Sequence, residues 1–206
     1  MVDDNWFIKS LEGFQDFIDE YPKTAIGIAI VGLVIAGYSF KKIAFDNADE
    51  IIKLCTKLNV YIVQLHGKIS REELEKTKLL RPDLEIIKSL VVAENNYPEL
   101  EKTVNTLSTF VDAFITDTFD PSTGAEGATG KTHDWNISRK LVEISPKPVI
   151  IAGGLNHTNV KKAILEIHPA GVDAHTGVES KDGRKNYELV KRFVEKSKEG
   201  FALINS

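Results

Sequence analysis

DAFITDTFDPSTGAEGATGKTHDW, residues 112–135, is the stretch that decides the architecture of this chain. It contains AEGATGKT, residues 125–132, in which a small residue is followed at P-loop spacing by Gly-Lys-Thr. A nucleotide cradle needs a strand running straight into the glycine loop and a helix starting at Gly-Lys-Thr, because backbone N–H groups and the helix terminus hold the phosphates together. Neither condition is met here. The apolar strand DAFITDT ends at Thr118, FDPSTG intervenes, and Pro121 marks a turn. His133, Asp134 and Trp135 follow Lys131 and Thr132, and Asp134 or Asn136 is a natural N-cap, so the helix begins too late. The stretch is therefore expected to be a strand, a long loop and a late helix.

The same alternation extends on both sides. DNADEIIKLCTKL has helical periodicity and leads into the strand VYIVQLHG, then the charged helix SREELEKTKLL and the strand LEIIKSLVV. PELEKTVNTLSTF is helical and precedes DAFITDT. Beyond the loop come the helix WNISRKLVEIS, the strand PVIIAGG, the helix HTNVKKAILEI, the strand GVDAHTG and the helix RKNYELVKRFVEKSKE. Strands alternating with amphipathic helices predict a parallel sheet with helical crossovers. Polar or glycine residues punctuate the strand ends: Gln64 and His66, Lys88, Asp117, Gly153 and Gly154, Asp173 and His175. An open doubly wound sheet gathers its ligand groups at one crevice. Dispersal over at least five strands instead favours a barrel, whose C-terminal strand ends share one face.

Residues 24–40, TAIGIAIVGLVIAGYSF, carry no charge. As a helix they would rise roughly 25 Å, short of a ~30 Å hydrocarbon core. Three glycines and many β-branched residues favour buried strand, or two short strands broken at Gly32 or Gly37, over a membrane anchor. The chain has 206 residues, enough for one full-sized core, and no linker divides it, so a single domain over 1–206 is expected. The net charge of -4 and scattered Lys and Arg exclude a nucleic-acid surface. The single cysteine, Cys55, on a helical pattern, points to a buried thiol and a reducing, cytoplasmic setting. No His, Cys or acidic cluster has metal-ligand spacing, so neither metal nor cofactor is expected.

Several motifs occur together in one order. FITDT followed by GATGKTHDW, VQLHG at 63–67, IIKSLVV at 86–92, PVIIAGGLNHTNV at 148–160 and GVDAHTGVES ahead of the last helix resemble the phosphoribosylanthranilate isomerase family of tryptophan biosynthesis. The resemblance covers residues 46–198 and implies an α/β fold, a TIM (β/α)8-type barrel. It also implies an Amadori rearrangement of a phosphosugar, in a monomer or homodimer that binds no nucleic acid and does not enter a membrane. The reaction protonates the sugar's ring oxygen and removes the proton from C2, so it needs an acid and a base. By resemblance the acid is Asp117; a carboxyl partly desolvated at a strand mouth can hold its proton near neutrality. Gly153 and Gly154 would form one half of a phosphate cradle, with Asn156 or Thr158 starting the next helix, and Thr176 and Gly177 the other half. Asp173 matches a position near the substrate. His66 stands with it as a substrate-side residue, although a histidine at a strand end is more often satisfied structurally.

The first quarter departs from the family pattern. Trp6 and Phe7 stand where the family carries Cys-Gly, and that cysteine is the family's base. Ser39-Phe40-Lys41 stands for Ser-Pro-Arg, so Lys41 would meet the substrate's carboxylate without the bidentate fork of an arginine. Seven strands are expected, with an eighth only if residues 24–44 hold two, so one βα unit is compressed or missing near the N-terminus. His175 replaces a small serine. These departures leave open a phosphosugar-binding paralog without isomerase activity, or an isomerase with another base such as Asp173.

Overall fold

A computed structural model describes residues 47–120, 125–126 and 132–205. The expected strands within 24–44, together with Trp6, Phe7 and Lys41, lie outside the described residues. The described elements run α1 (Ala48–Leu58), β1 (Ile62–Leu65), α2 (Arg71–Leu80), β2 (Glu85–Val92), α3 (Tyr97–Leu107) and β3 (Ala113–Asp120). They continue with β4 (Ala125–Glu126), α4 (Trp135–Ile144), β5 (Val149–Ile151), α5 (Val160–Ile167), β6 (Gly171–Val172) and α6 (Tyr187–Ile204).

The helices start where polar side chains take up their free N–H groups. Asn47, Ser70, Asp134 and Asn186 each accept a hydrogen bond from an N–H in the first turn of α1, α2, α4 and α6. Asp134, rather than Asn136, is thus the cap of α4. Pro98 sits in the first turn of α3, where no N–H is needed. At the other end, α1 stops at Asn59 and α5 at His168, both left-handed, with φ of 53° and 56°.

The five parallel strands lie side by side in the order β1-β2-β3-β5-β6, and β4 folds back antiparallel on the end of β3. Each strand–helix unit places its next parallel strand on the same side as the last. A doubly wound sheet would reverse direction once; this progression without reversal is the arc of a barrel wall.

The two faces of the arc differ. One carries a large apolar layer in which Leu65, Ile86, Leu90, Phe114, Ile151 and Val172 meet Ile51, Leu74, Val104, Leu141 and Ile164 from the helices. The other holds a small cluster of Ile87, Ile115, Ile150 and Ala152, from the strands and the residue just after β5 alone. The period-2 alternation of each strand assigns one residue in two to each face. Asp112 fixes the lower end of the wall: its Oδ2 accepts from the Ile86 amide at 2.7 Å and from Lys78 Nζ at 2.5 Å, tying α2 to β2 and β3.

The structure shortens two of the expected strands. PVIIAGG pairs only over Val149–Ile151, and GVDAHTG only over Gly171–Val172, after which residues 176–178 form a 3₁₀ turn. Lys88 lies in the middle of β2 rather than at its end, buried, with Nζ donating to the Ser89 carbonyl at 2.7 Å. Among the described residues no helix is long and apolar enough to cross a membrane.

Phe114 is the largest of the fully buried side chains described. Phe114→Ala is expected to cost about 3–5 kcal/mol through lost burial and an unfilled cavity. Urea denaturation should show this as a lower midpoint with an unchanged slope.

Candidate active site

The C-terminal end of β3 carries the first functional group. Ile115 belongs to the inner cluster, so Asp117, two residues on, faces the same side, while Phe114 is held in the helix-facing layer. Asp117 Oδ1 accepts from the Thr118 amide at 2.8 Å, and Oδ2 lies 3.5 Å from His66 Nε2, just beyond β1. The Asp117 side chain is 18% exposed and His66 39%, so both border an open mouth rather than a sealed core.

Asp173 follows β6, whose Val172 belongs to the helix-facing layer; its side chain therefore turns inward, toward the side of Asp117. The residue keeps some exposure, yet its Oδ1 is buried and has no hydrogen-bond partner among the described residues. Burial, reinforced by the negative charge of Asp117, raises its carboxyl to about 7, against the opposing pull of Lys185 and the Ala174 amide. Asp173, expected near the substrate, thus carries a raised carboxyl on the side of Asp117.

The four residues expected to hold phosphate come together. Gly153 and Gly154 have φ of 99° and 64°, a conformation that side chains other than glycine rarely adopt. A Cβ on Gly153 would sit 2.0 Å from Thr118 Oγ1. Gly177 needs glycine for a different reason: a Cβ there would sit 1.9 Å from the Leu155 carbonyl oxygen and 2.9 Å from Asn156 Cβ. The turn after β6 thus lies directly on the loop after β5. Among the described residues no protein group accepts from the amides of Gly153, Gly154, Thr176 or Gly177, and such a group of free N–H donors suits an anion. The loop is braced by Asn159, which accepts from the Asn156 amide at 2.8 Å and donates to the Gly154 carbonyl at 3.0 Å. Helix α5 consequently starts at Val160 behind Asn159, not at Asn156 or Thr158.

Three polar residues that sequence reasoning did not single out support this mouth. His133 bridges Thr118 Oγ1 at 2.8 Å and Ser138 Oγ at 2.5 Å, joining β3 to α4 beneath Gly153. Burial lowers the pKa of its imidazole to about 4, so it is neutral at pH 7 and accepts from one hydroxyl while donating to the other. The histidine in THDW was visible in the sequence; its burial between two hydroxyls was not.

Gly130 and Lys131 lie outside the described residues, but the elements on either side do not have P-loop order. Ala125 belongs to β4, hydrogen-bonded back to β3, and α4 begins at Trp135, three residues past Thr132. Cys55 is buried in α1 against the core, and burial raises its thiol pKa. It is no substitute for a base at the mouth.

A model of the N-(5'-phosphoribosyl)anthranilate (PRA) isomerase family matches residues 45–196. N-(5'-phosphoribosyl)anthranilate isomerase 2 of Methanosarcina mazei is 38% identical over 156 residues, covering 76% of this chain and 68% of its own. The isomerase of Haloferax volcanii is 35% identical over 153 residues, 74% of this chain and 65% of its own. Alignments with these relatives thus span about two thirds of their length. Among solved structures, the phosphoribosylanthranilate isomerase of Thermotoga maritima superposes with a TM-score of 0.60 at 27% identity, covering 74% of this chain and 69% of its own. Another, solved with reduced 1-(o-carboxyphenylamino)-1-deoxyribulose 5-phosphate, gives a TM-score of 0.58 at 25% identity, covering 74% and 67%.

The raised carboxyl of Asp173 has a cost that depends on pH. Between the ordinary carboxylate value of 3.8 and about 7 the folded chain holds a proton that the unfolded chain has released. Stability therefore falls as pH rises through that window, by about 1.4 kcal/mol per unit for this one group. Asp173→Asn, which cannot ionise, should gain stability relative to the parent between pH 5 and pH 8. Urea midpoints at both values check this, and a difference that does not change with pH overturns it.

Proposed function

Because this chain belongs to the N-(5'-phosphoribosyl)anthranilate isomerase family, we propose that it isomerises N-(5'-phosphoribosyl)anthranilate to 1-(o-carboxyphenylamino)-1-deoxyribulose 5-phosphate, as a step of tryptophan biosynthesis in the cytoplasm. The observation that carries this reading is the mouth itself: two carboxyl groups, Asp117 and Asp173, beside a two-part cradle of unpartnered amides. A sugar phosphate supplies what each part lacks. Its dianion accepts from the amides of Gly153, Gly154, Thr176 and Gly177. One of its hydroxyls donates to Asp173 Oδ1, which is otherwise left buried without a partner.

In this reading Asp117 gives its proton to the ring oxygen as the C1–O bond opens. His66, 3.5 Å from Asp117, flanks the acid, and Lys41 meets the anthranilate carboxylate as a single positive charge.

A second reading has one observation in its favour. The chain's only thiol, Cys55, is buried in α1, and by the resemblance Trp6-Phe7 stands where the family carries its cysteine. Under it the chain binds phosphosugars without converting them.

Turnover of N-(5'-phosphoribosyl)anthranilate separates the two. The isomerase reading expects measurable turnover in the parent, lowered ~10²–10⁴-fold in kcat by Asp117→Asn with little change in KM. A folded parent that binds the reduced product analogue and shows no turnover establishes the second reading.

A further inference from the structure

If the chain is an isomerase, a base has to stand somewhere on this mouth. The charged cluster beyond β6 contains a candidate that the acid and the phosphate cradle do not use. His175 lies two residues beyond Asp173, and its buried Nδ1 stands 3.2 Å from Glu179 Oε1, close enough for an ion pair though not aligned as a hydrogen bond. The ring is about one third exposed (32%), while Nδ1 is sealed. Lys185 holds the arrangement from behind: its Nζ donates to the His175 carbonyl at 3.0 Å and to Glu179 Oε1 at 2.9 Å. The backbone around it is clasped, with the Ser180 amide bonded to the Arg184 carbonyl and the Asn186 amide to the Val178 carbonyl, both at 2.8 Å. A partly exposed imidazole with one nitrogen beside a carboxylate that a lysine fixes has the surroundings of a general base.

We propose that His175 Nε2 is the general base that removes the C2 proton of the opened sugar, with Glu179 orienting Nδ1. The proposal rests on the isomerase reading above. Once Asp117 has protonated the ring oxygen, the substrate is an iminium at C1. His175 Nε2 then takes the proton from C2. The C2–H electron pair becomes the C1=C2 bond, and the C1=N pair returns to nitrogen as its lone pair. Glu179 stabilises the imidazolium that forms. In the second half His175 returns the proton to C1, the C2 hydroxyl becomes the ketone, and its proton restores Asp117. Protons and electrons balance without any added reagent.

The groups acting on His175 agree with the role. Burial and the positive charge of Lys185 lower its pKa, while the negative charges of Glu179 and Asp117 raise it. The net shift is downward, so the ring is neutral at pH 7 and able to accept a proton.

The test is turnover of N-(5'-phosphoribosyl)anthranilate, unlabelled and deuterated at C2, by the parent, His175→Gln and Glu179→Gln, with unfolding curves confirming each fold. His175→Gln is expected to lose ~10²–10⁴-fold in kcat, with KM within about threefold of the parent and a larger deuterium effect as proton removal becomes limiting. Glu179→Gln removes a charge that raises the imidazole's pKa. It should lower kcat less and move the acidic limb of kcat/KM to lower pH. A kcat near the parent's in His175→Gln, or a loss confined to KM, overturns the base assignment while leaving the isomerase reading intact. No turnover in the folded parent overturns both.

Discussion

The register of β3 is the constraint on which this mouth depends. Phe114, fully buried, holds one face of the strand in the helix layer, and alternation then forces Ile115 and Asp117 to the other face. A slip of one residue would bring Phe114 into the barrel interior and push Asp117 into a packed apolar layer, at a cost of several kcal/mol for the carboxylate alone. Pairing on both sides holds the register: β2 matches Ile87 with Ala113 through Val92 with Thr118, and β5 matches Phe114 with Val149. Position 117 is therefore fixed by hydrophobic packing 10 Å or so down the strand, at the ~3.3 Å rise of each parallel-strand residue.

From that fixed point the rest of the site is assembled by close approach. Thr118 holds His133, His133 holds Ser138 on α4, and Gly153 passes so near Thr118 that no side chain fits between them. Gly177 in turn rests on the Leu155 carbonyl. Each step exchanges conformational freedom for position. The two glycine contacts are the places where a larger residue would separate β5 from β3 or from the turn after β6. Such contacts bring together free amides from turns that share no local sequence.

Much of this was legible in the chain. The alternation of apolar strands and amphipathic helices pointed to the parallel arc, Asp134 was one of two caps offered for the helix after the long loop, and Gly153-Gly154 and Thr176-Gly177 stood out in two turns that the structure lays against each other. What stayed hidden depends on three-dimensional burial. Nothing in GVDAHTG says that Asp173 Oδ1 is sealed away from partners while the His175 ring stays partly exposed, because their fates diverge only when the turn folds onto Leu155. Lys88 misled for the same reason. It punctuates an apolar run as a strand-end residue would, yet the chain buries it in mid-strand with its ammonium on main-chain carbonyls. Periodicity locates faces; it does not price desolvation.

Barrels of this kind separate the scaffold from the groups it presents. Each strand end reaches the same mouth from its own direction, and what sets a group's role is its distance from the substrate and its local field, not its strand of origin. A base need not be tied to the first strand for the chemistry to close. It must face C2 from the side away from the acid, be neutral at the working pH, and have its second nitrogen or oxygen held. On this chain the one thiol, Cys55, is committed to the core. The turn after β6, by contrast, carries a histidine, a carboxylate and an ammonium in one clasp. Lys185 has a double effect there. It fixes Glu179 in place and lowers the affinity of His175 for a resting proton, so the imidazole reaches the reaction empty and becomes well solvated by charge only after it has taken the proton.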